Sequence, residues 1–313
     1  MINIPSLYIA GFPKTGTTSI ATMLSASGFF STPLRKEPHY FSPEFPHLRG
    51  LATLNDYQNN YSSSVAGMMD YDASTWYLYS DSAIEKIVRE NPDAKFIIGL
   101  RDPFQFLLSY ADHLERKEYA SNAMQSFIAG HPRSESLNCD IEDDVGYLFD
   151  WKERLSFDVH LKRMYGHVDP KNIYMYYLED YIENPQEVIN RISELTSIPT
   201  LKNMSSIHAN KGGRVRKNLI SQGVMSLRKE LGKSPVLEKM VRGYRIGLGG
   251  KVYRSLTRTD KKASRSSEEL CELRQLTRSF CIDQIDSVYG ISVQYMQPAV
   301  SRRCKLLLKS HAR

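Results

Sequence analysis

The segment Gly11-Phe-Pro-Lys-Thr-Gly-Thr-Thr18 has the spacing of a phosphate cradle. It nearly matches the nucleotide-binding pattern G-x-x-x-x-G-K-[ST]. Gly11 and Gly16 free backbone N–H groups to point inward, and a helix starting after them aims its positive end at the same spot. The departure from the pattern is informative. Thr17 stands where the pattern has its Lys, and the cation has moved inside the loop as Lys14. From there a Lys reaches the oxygen at the 5′ end of a nucleotide, without the usual grip on a γ-phosphate. Lys14, Thr15, Gly16, Thr17 and Thr18 are the first anion-binding candidates.

Three further clusters could join it. Arg101 follows the apolar run 94–100, and Ser109 stands eight residues later. A guanidinium fork suits a phosphate, and open parallel sheets bind ligands at the carboxyl ends of their strands. Ser109, about two helical turns on, lies on a compatible face. Arg35-Lys-Glu-Pro-His-Tyr-Phe41 is dense in titratable groups. A hydroxyl is a poor nucleophile near neutral pH, and a carboxylate positioned to remove its proton is worth roughly 10²–10⁴-fold. Glu37 and His39 are both candidate bases, and Lys36 can steady negative charge beside them. Asn210-Lys-Gly-Gly-Arg-Val-Arg216 is a second basic, glycine-bearing loop. There Lys211, Gly212, Gly213 and Arg214 suit a phosphate, with Arg216 an alternative contact.

These residues need a scaffold. The run 7–10 reads as a strand opening into the glycine loop, and residues 19–26 read as a helix stopped by Gly28. Residues 94–100 read as a buried strand before Arg101-Asp-Pro103, where Asp102 caps a helix and Pro103 starts it. A third strand, 172–178, precedes Glu179-Asp180, and Asn184-Pro185 opens another helix. Residues 145–165 read as one long amphipathic helix through Leu148, Trp151, Leu155 and Val159. Strands alternating with helices imply a parallel sheet covered on both faces. Residues 115–144 read as a polar loop near the active face, and 255–267 as a basic, serine-rich loop. A last helix is expected over 268–289.

Composition narrows the possibilities. The 313 residues are 41% hydrophobic and 24% charged, as in an ordinary globular protein with a sizeable core. No apolar run is long enough to span a membrane, and the first ten residues read as a strand rather than an export signal. Four scattered cysteines (139, 271, 281 and 304) form neither a disulfide framework nor a zinc motif. These features lead to an expectation of a cytoplasmic protein. Residues 211–313 hold 23 Lys and Arg against 8 Asp and Glu, a net +15, whereas 1–210 carry −9. That asymmetry favours an anionic partner or a solvated basic face.

Phe12-Pro-Lys-Thr-Gly-Thr-Thr18 resembles the 5′-phosphosulfate loop of sulfotransferases that use 3′-phosphoadenosine 5′-phosphosulfate (PAPS). Residues 100–110, with Arg101 and Ser109, resemble their 3′-phosphate motif. Tyr176-Tyr-Leu-Glu-Asp-Tyr181 with Asn184-Pro185 is similar to a later strand and helix of the family, and Val288-Tyr-Gly-Ile291 to its last helix. Lys36-Glu37-Pro-His-Tyr-Phe41 resembles a segment of heparan sulfate-type carbohydrate sulfotransferases whose Glu is the base, which implies that role for Glu37. His39 is the rival base, since sulfotransferases of phenols and steroids use His. Asp72-Ala-Ser-Thr-Trp-Tyr-Leu78 resembles another segment of the carbohydrate enzymes, except that Ala73 stands where they have Lys. Trp76 and Tyr77 there suit either stacking or the core. The loop 210–216 is similar to the family's late phosphate loop.

The resemblance implies an α/β, P-loop NTPase-like three-layer fold, with a central parallel sheet flanked by helices. One domain is expected over 1–296, followed by a basic tail over 297–313. PAPS is the expected donor and adenosine 3′,5′-bisphosphate (PAP) the product. No metal is expected, because Lys14 and backbone dipoles take the role Mg2+ plays in kinases. The expected acceptor is a saccharide or glycoconjugate. No specific nucleic-acid partner is expected, and the basic tail is a candidate for peripheral membrane contact. The rival readings are a P-loop kinase of a small molecule and a non-catalytic module that binds anionic polymers.

Overall fold

Continuous apolar runs make three strands of the fold, and glycine, Asp-Pro and Asn-Pro signals punctuate them. The computed structural model describes residues 4–45, 48, 50–116, 123–129, 148, 150–199 and 265–312, with the backbone of two short strands between the last two ranges. Strand β1 (Leu7–Ile9) runs into the glycine loop and α1 (Thr17–Ala26). Gly28, at φ +78°, supplies the left-handed turn that ends α1 and returns the chain to β2 (Phe30–Ser31). Helix α2 (Leu54–Asn59) is capped by the Thr53 side chain. Strand β3 (Met69–Asp72) leads through a 3-10 turn, Thr75–Leu78, to α3 (Ala83–Glu90).

Strand β4 (Lys95–Leu100) is followed by α4 (Pro103–Arg116). Asp102 caps α4, its Oδ1 accepting from the Gln105 backbone N–H at 2.8 Å. Helices α5 (Ala123–Ala129), α6 (Trp151–Leu155) and α7 (Phe157–Tyr165) precede β5 (Ile173–Tyr177). Then come α8 (Leu178–Glu183) and α9 (Pro185–Thr196), the latter capped by Asn184. Strands β6 (Arg214–Val215) and β7 (Arg258–Thr259) pair antiparallel. Helix α10 (Ser267–Gln294) starts with a Ser266–Glu269 capping box, and α11 (Pro298–Ala312) follows it.

The main sheet has the order β2-β3-β1-β4-β5, and every pairing in it is parallel. Alternation along the strands sends side chains to two cores. Leu7, Ile9, Ile97 and Tyr176 face Ile20, Met23 and Leu24 of α1 and Val188, Ile189 and Ile192 of α9. Tyr8, Ala10, Phe96, Ile98, Met175 and Tyr177 face the larger core of α3, α4, α7 and α10. The chain leaves β1 toward β2 and β3 on one side and later fills β4 and β5 on the other. That reversal puts a ligand crevice at the carboxyl end of β1.

Several elements differ from the sequence reading. The helix expected over 145–165 is two helices, α6 and α7, broken at Ser156, and Val159 is exposed. The span 115–144 is not all loop: α4 extends to Arg116, and α5 buries Ala123, Met124 and Phe127. The span 255–267 contains β7, and α10 runs well beyond the expected 268–289. Within the basic tail expected over 297–313, α11 occupies most of the residues and buries Val300 and Cys304 fully in the larger core. Among the described residues, no helix is long and apolar enough to cross a membrane.

Candidate active site

The glycine loop is built by close approach. A Cβ on Gly11 would overlap the backbone of Gly99, so β1 and β4 need glycine at this point. Gly99 in turn leaves room for Thr15, whose Oγ1 donates to the Phe12 carbonyl at 2.6 Å. Tyr176 of β5 donates its hydroxyl to the Thr15 carbonyl at 3.0 Å. Lys14 (φ 68°) and Gly16 (φ 88°) both adopt left-handed backbone on either side of Thr15. For Lys14 this conformation is costly, and such strain concentrates at functional sites. Among the described residues α1 starts with no side-chain cap and no acidic residue in its first turn, which suits the N–H groups of Thr17 and Thr18 to an anion.

Arg101 closes the far side of this crevice. Its Nη1 donates to the Lys14 carbonyl at 3.2 Å, while Nε is buried without a partner among the described residues. Glu179 and Asp102 partly offset the cost of burying the guanidinium. Glu179 also accepts from the Asp102 N–H at 3.3 Å, tying the start of α8 to the start of α4. Ser109 sits partly buried on α4, and Arg116 lies seven residues further on the same face. Burial, reinforced by the charges of Arg116 and Arg101, lowers the Lys14 pKa to about 8. Asp112 and Glu37 only partly offset this effect on Lys14, and a bound anion would oppose it further.

The titratable segment lies across the mouth of the loop. Lys36 Nζ donates to Thr18 Oγ1 at 3.1 Å and to Glu37 Oε1 at 2.5 Å. Burial alone would raise the Glu37 pKa, but the Lys36 charge and His39 outweigh it and hold the carboxylate well below its usual range. His39 Nε2 lies 3.5 Å from Glu37 Oε2. The Glu37 side chain is 37% exposed and that of His39 only 5%. An acceptor can therefore touch Glu37, whereas His39 is sealed behind it. His39 adopts left-handed backbone (φ 52°), and its N–H donates to Ser74 Oγ at 2.9 Å.

Behind His39 is a buried polar knot. Asp72, at the end of β3, is fully buried and accepts four hydrogen bonds, from the Ser74 N–H and hydroxyl and from the hydroxyls of Tyr57 and Tyr77. Burial raises its pKa, and these donors oppose the rise. The Ala73 N–H donates to the Lys36 carbonyl at 3.1 Å, which lays the Lys36-Glu37 segment along the end of β3.

The sulfotransferase domain family matches residues 5–262 of this sequence. The chain belongs to the sulfotransferase family. A sulfotransferase from Alicyclobacillus acidocaldarius is similar in structure, at 20% identity and a TM-score of 0.58, over 74% of this chain and 94% of that one. This likeness identifies the fold as P-loop NTPase-like. Matches with lower TM-scores include a sulfotransferase domain of the curacin biosynthetic pathway (14% identity, TM-score 0.42, 64% of this chain and 76% of that one). Another is a sulfotransferase from Mycobacterium avium (18% identity, TM-score 0.40, 64% and 66%). No individually curated protein is a significant sequence match.

In this sulfotransferase the loop residues Lys14 to Thr18 meet Arg101 on one side and Lys36 and Glu37 on the other. Trp76 and Tyr77 are buried core aromatics, not stacking platforms. Lys211, Gly212, Gly213 and Arg216 lie outside the described residues, and Arg214 is placed only as backbone in β6. Sequence reading missed Tyr176 as the prop of the loop, Asp72 as the anchor behind His39, and Arg116. Arg116 was recoverable, since it repeats the helical face of Ser109.

Proposed function

We propose that this sulfotransferase moves a sulfuryl group from PAPS to a hydroxyl or amine of a saccharide or glycoconjugate, releasing PAP. The observation that carries the proposal is the hydrogen bond from Arg101 to the Lys14 carbonyl. It puts a second anion-binding group within one ligand's reach of the glycine loop. A donor carrying a 5′-phosphosulfate and a 3′-phosphate needs two such sites. The residues present fit it: an α1 N-terminus and a buried guanidinium nitrogen that have no side-chain cap and no partner among the described residues, and a destabilised ammonium at Lys14.

PAPS, when bound, supplies an activated sulfuryl group on its 5′-phosphate. The chain's own residues do the rest. Lys14 and the N–H groups of residues 15–18 hold negative charge at the 5′ end. Arg101, with Ser109, holds the 3′-phosphate and so selects this donor over ATP. Glu37 takes the acceptor proton on its carboxylate. Lys36, between Thr18 and Glu37, holds the negative oxygens that pass between loop and acceptor. His39 orients Glu37 from behind. The resemblance of the Lys36-Glu37 segment supports a carbohydrate acceptor. Ala73 is fully buried behind Lys36, so no cation reaches an acceptor from that position, unlike the heparan sulfate enzymes.

Incubation with radiolabelled PAPS and a glycan panel tests the proposal. Label should enter a saccharide, and Glu37→Gln should slow transfer by roughly 10²–10⁴-fold while keeping PAP binding. A preference for phosphate transfer from ATP with Mg2+ would overturn it.

A further inference from the structure

Helix α11 lies beyond the residues matched by the family, yet it is built into the side of the sheet that carries Arg101. The Gln297 side chain, at its start, donates to the Ile173 carbonyl at 3.1 Å and accepts from the Met175 N–H at 3.5 Å. Those groups belong to β5, the edge strand, whose open side is thereby covered. Arg303 donates to the carboxylates of Asp180 and Glu183 on α8. Cys304 is fully buried, 3.4 Å from the Tyr177 hydroxyl. At the far end His311 Nε2 lies 2.6 Å from Asp102 Oδ2, with both side chains only 11% exposed. A carboxylate oxygen accepts, so this ring nitrogen carries the proton. Arg278 of α10 holds the His311 carbonyl at 3.2 Å.

Asp102 is the residue between Arg101 and α4. Its Oδ1 caps α4, its N–H donates to Glu179, and its Oδ2 meets His311. We propose that His311 is a positioning residue for Arg101, acting through Asp102, and that α11 is the strut that delivers it. The proposal rests on the reading of Arg101 as part of the nucleotide site. With all three contacts made, the peptide that aims Arg101 has one orientation. Without His311, one carboxylate oxygen loses its partner, and Arg101 must be ordered when a phosphate binds, which weakens binding.

The test measures PAP affinity by calorimetry, the KM of each substrate, kcat and the melting temperature. The variants are His311→Ala, His311→Gln and, as a control for lost positive charge, Lys309→Ala on the exposed face of α11. His311→Ala should bind PAP roughly tenfold more weakly, the scale of one charge-assisted hydrogen bond. The KM for PAPS should rise in parallel, while kcat at saturating donor and the acceptor KM stay unchanged. His311→Gln, which still presents an N–H, should recover much of the loss, and Lys309→Ala should match the wild type. If His311→Ala does not fold, His311→Leu keeps the bulk without the donor and gives the same test. Unchanged PAP binding in the folded variant would overturn the proposal, as would equal losses in kcat and both KM values. Failure of the wild type to bind PAP would instead overturn the nucleotide reading, and this proposal with it.

Discussion

Glu37 and Lys36 form a coupled pair, and their pH behaviour follows from the 2.5 Å contact between them. The carboxylate is held well below its usual range, so it stays ionised through mildly acidic conditions. Glu37→Gln removes the proposed base and should lower kcat by roughly 10²–10⁴-fold with PAP affinity retained. Lys36→Met removes the charge that outweighs burial, so the Glu37 pKa rises and the acidic limb of the rate profile should move to higher pH. A pH–kcat comparison of wild type and Lys36→Met reads this directly. Lys14 gives the opposite limb. Its pKa is lowered to about 8, and an anion binds best to the protonated form. PAP affinity should therefore fall as pH rises through about 8, a range in which phosphate itself is already ionised. Lys14→Arg should flatten that dependence, because a guanidinium stays charged.

At the scale of elements, the site depends on how closely β1, β4 and β5 approach. Gly99→Ala would drive a methyl group into Thr15 Oγ1 and the Tyr176 hydroxyl, which together hold the loop. The expected cost is about 1–3 kcal/mol of stability with a clear loss of PAP affinity, measured by denaturant unfolding and calorimetry. Asp72→Ala strands four buried donors at the end of β3 and should cost about 3 kcal/mol or more. Strands β1, β4 and β5 were legible because they are apolar runs beside turn signals. Strand β3, Met-Asp-Tyr-Asp, was not, since its acidic residues serve hydrogen bonds rather than a core. The break at Ser156 had no glycine or proline to mark it. Helix α11 was hidden by its cations, although Val300, Cys304 and Leu308 already repeat at helical spacing.

The whole molecule gathers its chemistry at the carboxyl ends of its parallel strands. The loop follows β1, Arg101 follows β4, and Glu179 follows β5, so one crevice collects groups that lie far apart in sequence. The loop and Arg101 could be found by spacing and residue type. The contact between α11 and Asp102 could not, because two residues more than two hundred positions apart leave no local signal. Equilibrium binding of PAP against adenosine 5′-monophosphate, in the wild type and in Arg101→Ala, tests the central claim most directly. The account predicts that the wild type binds PAP at least about tenfold more tightly than the monophosphate, and that Arg101→Ala erases the difference. Equal affinity for the two nucleotides in the wild type would contradict it.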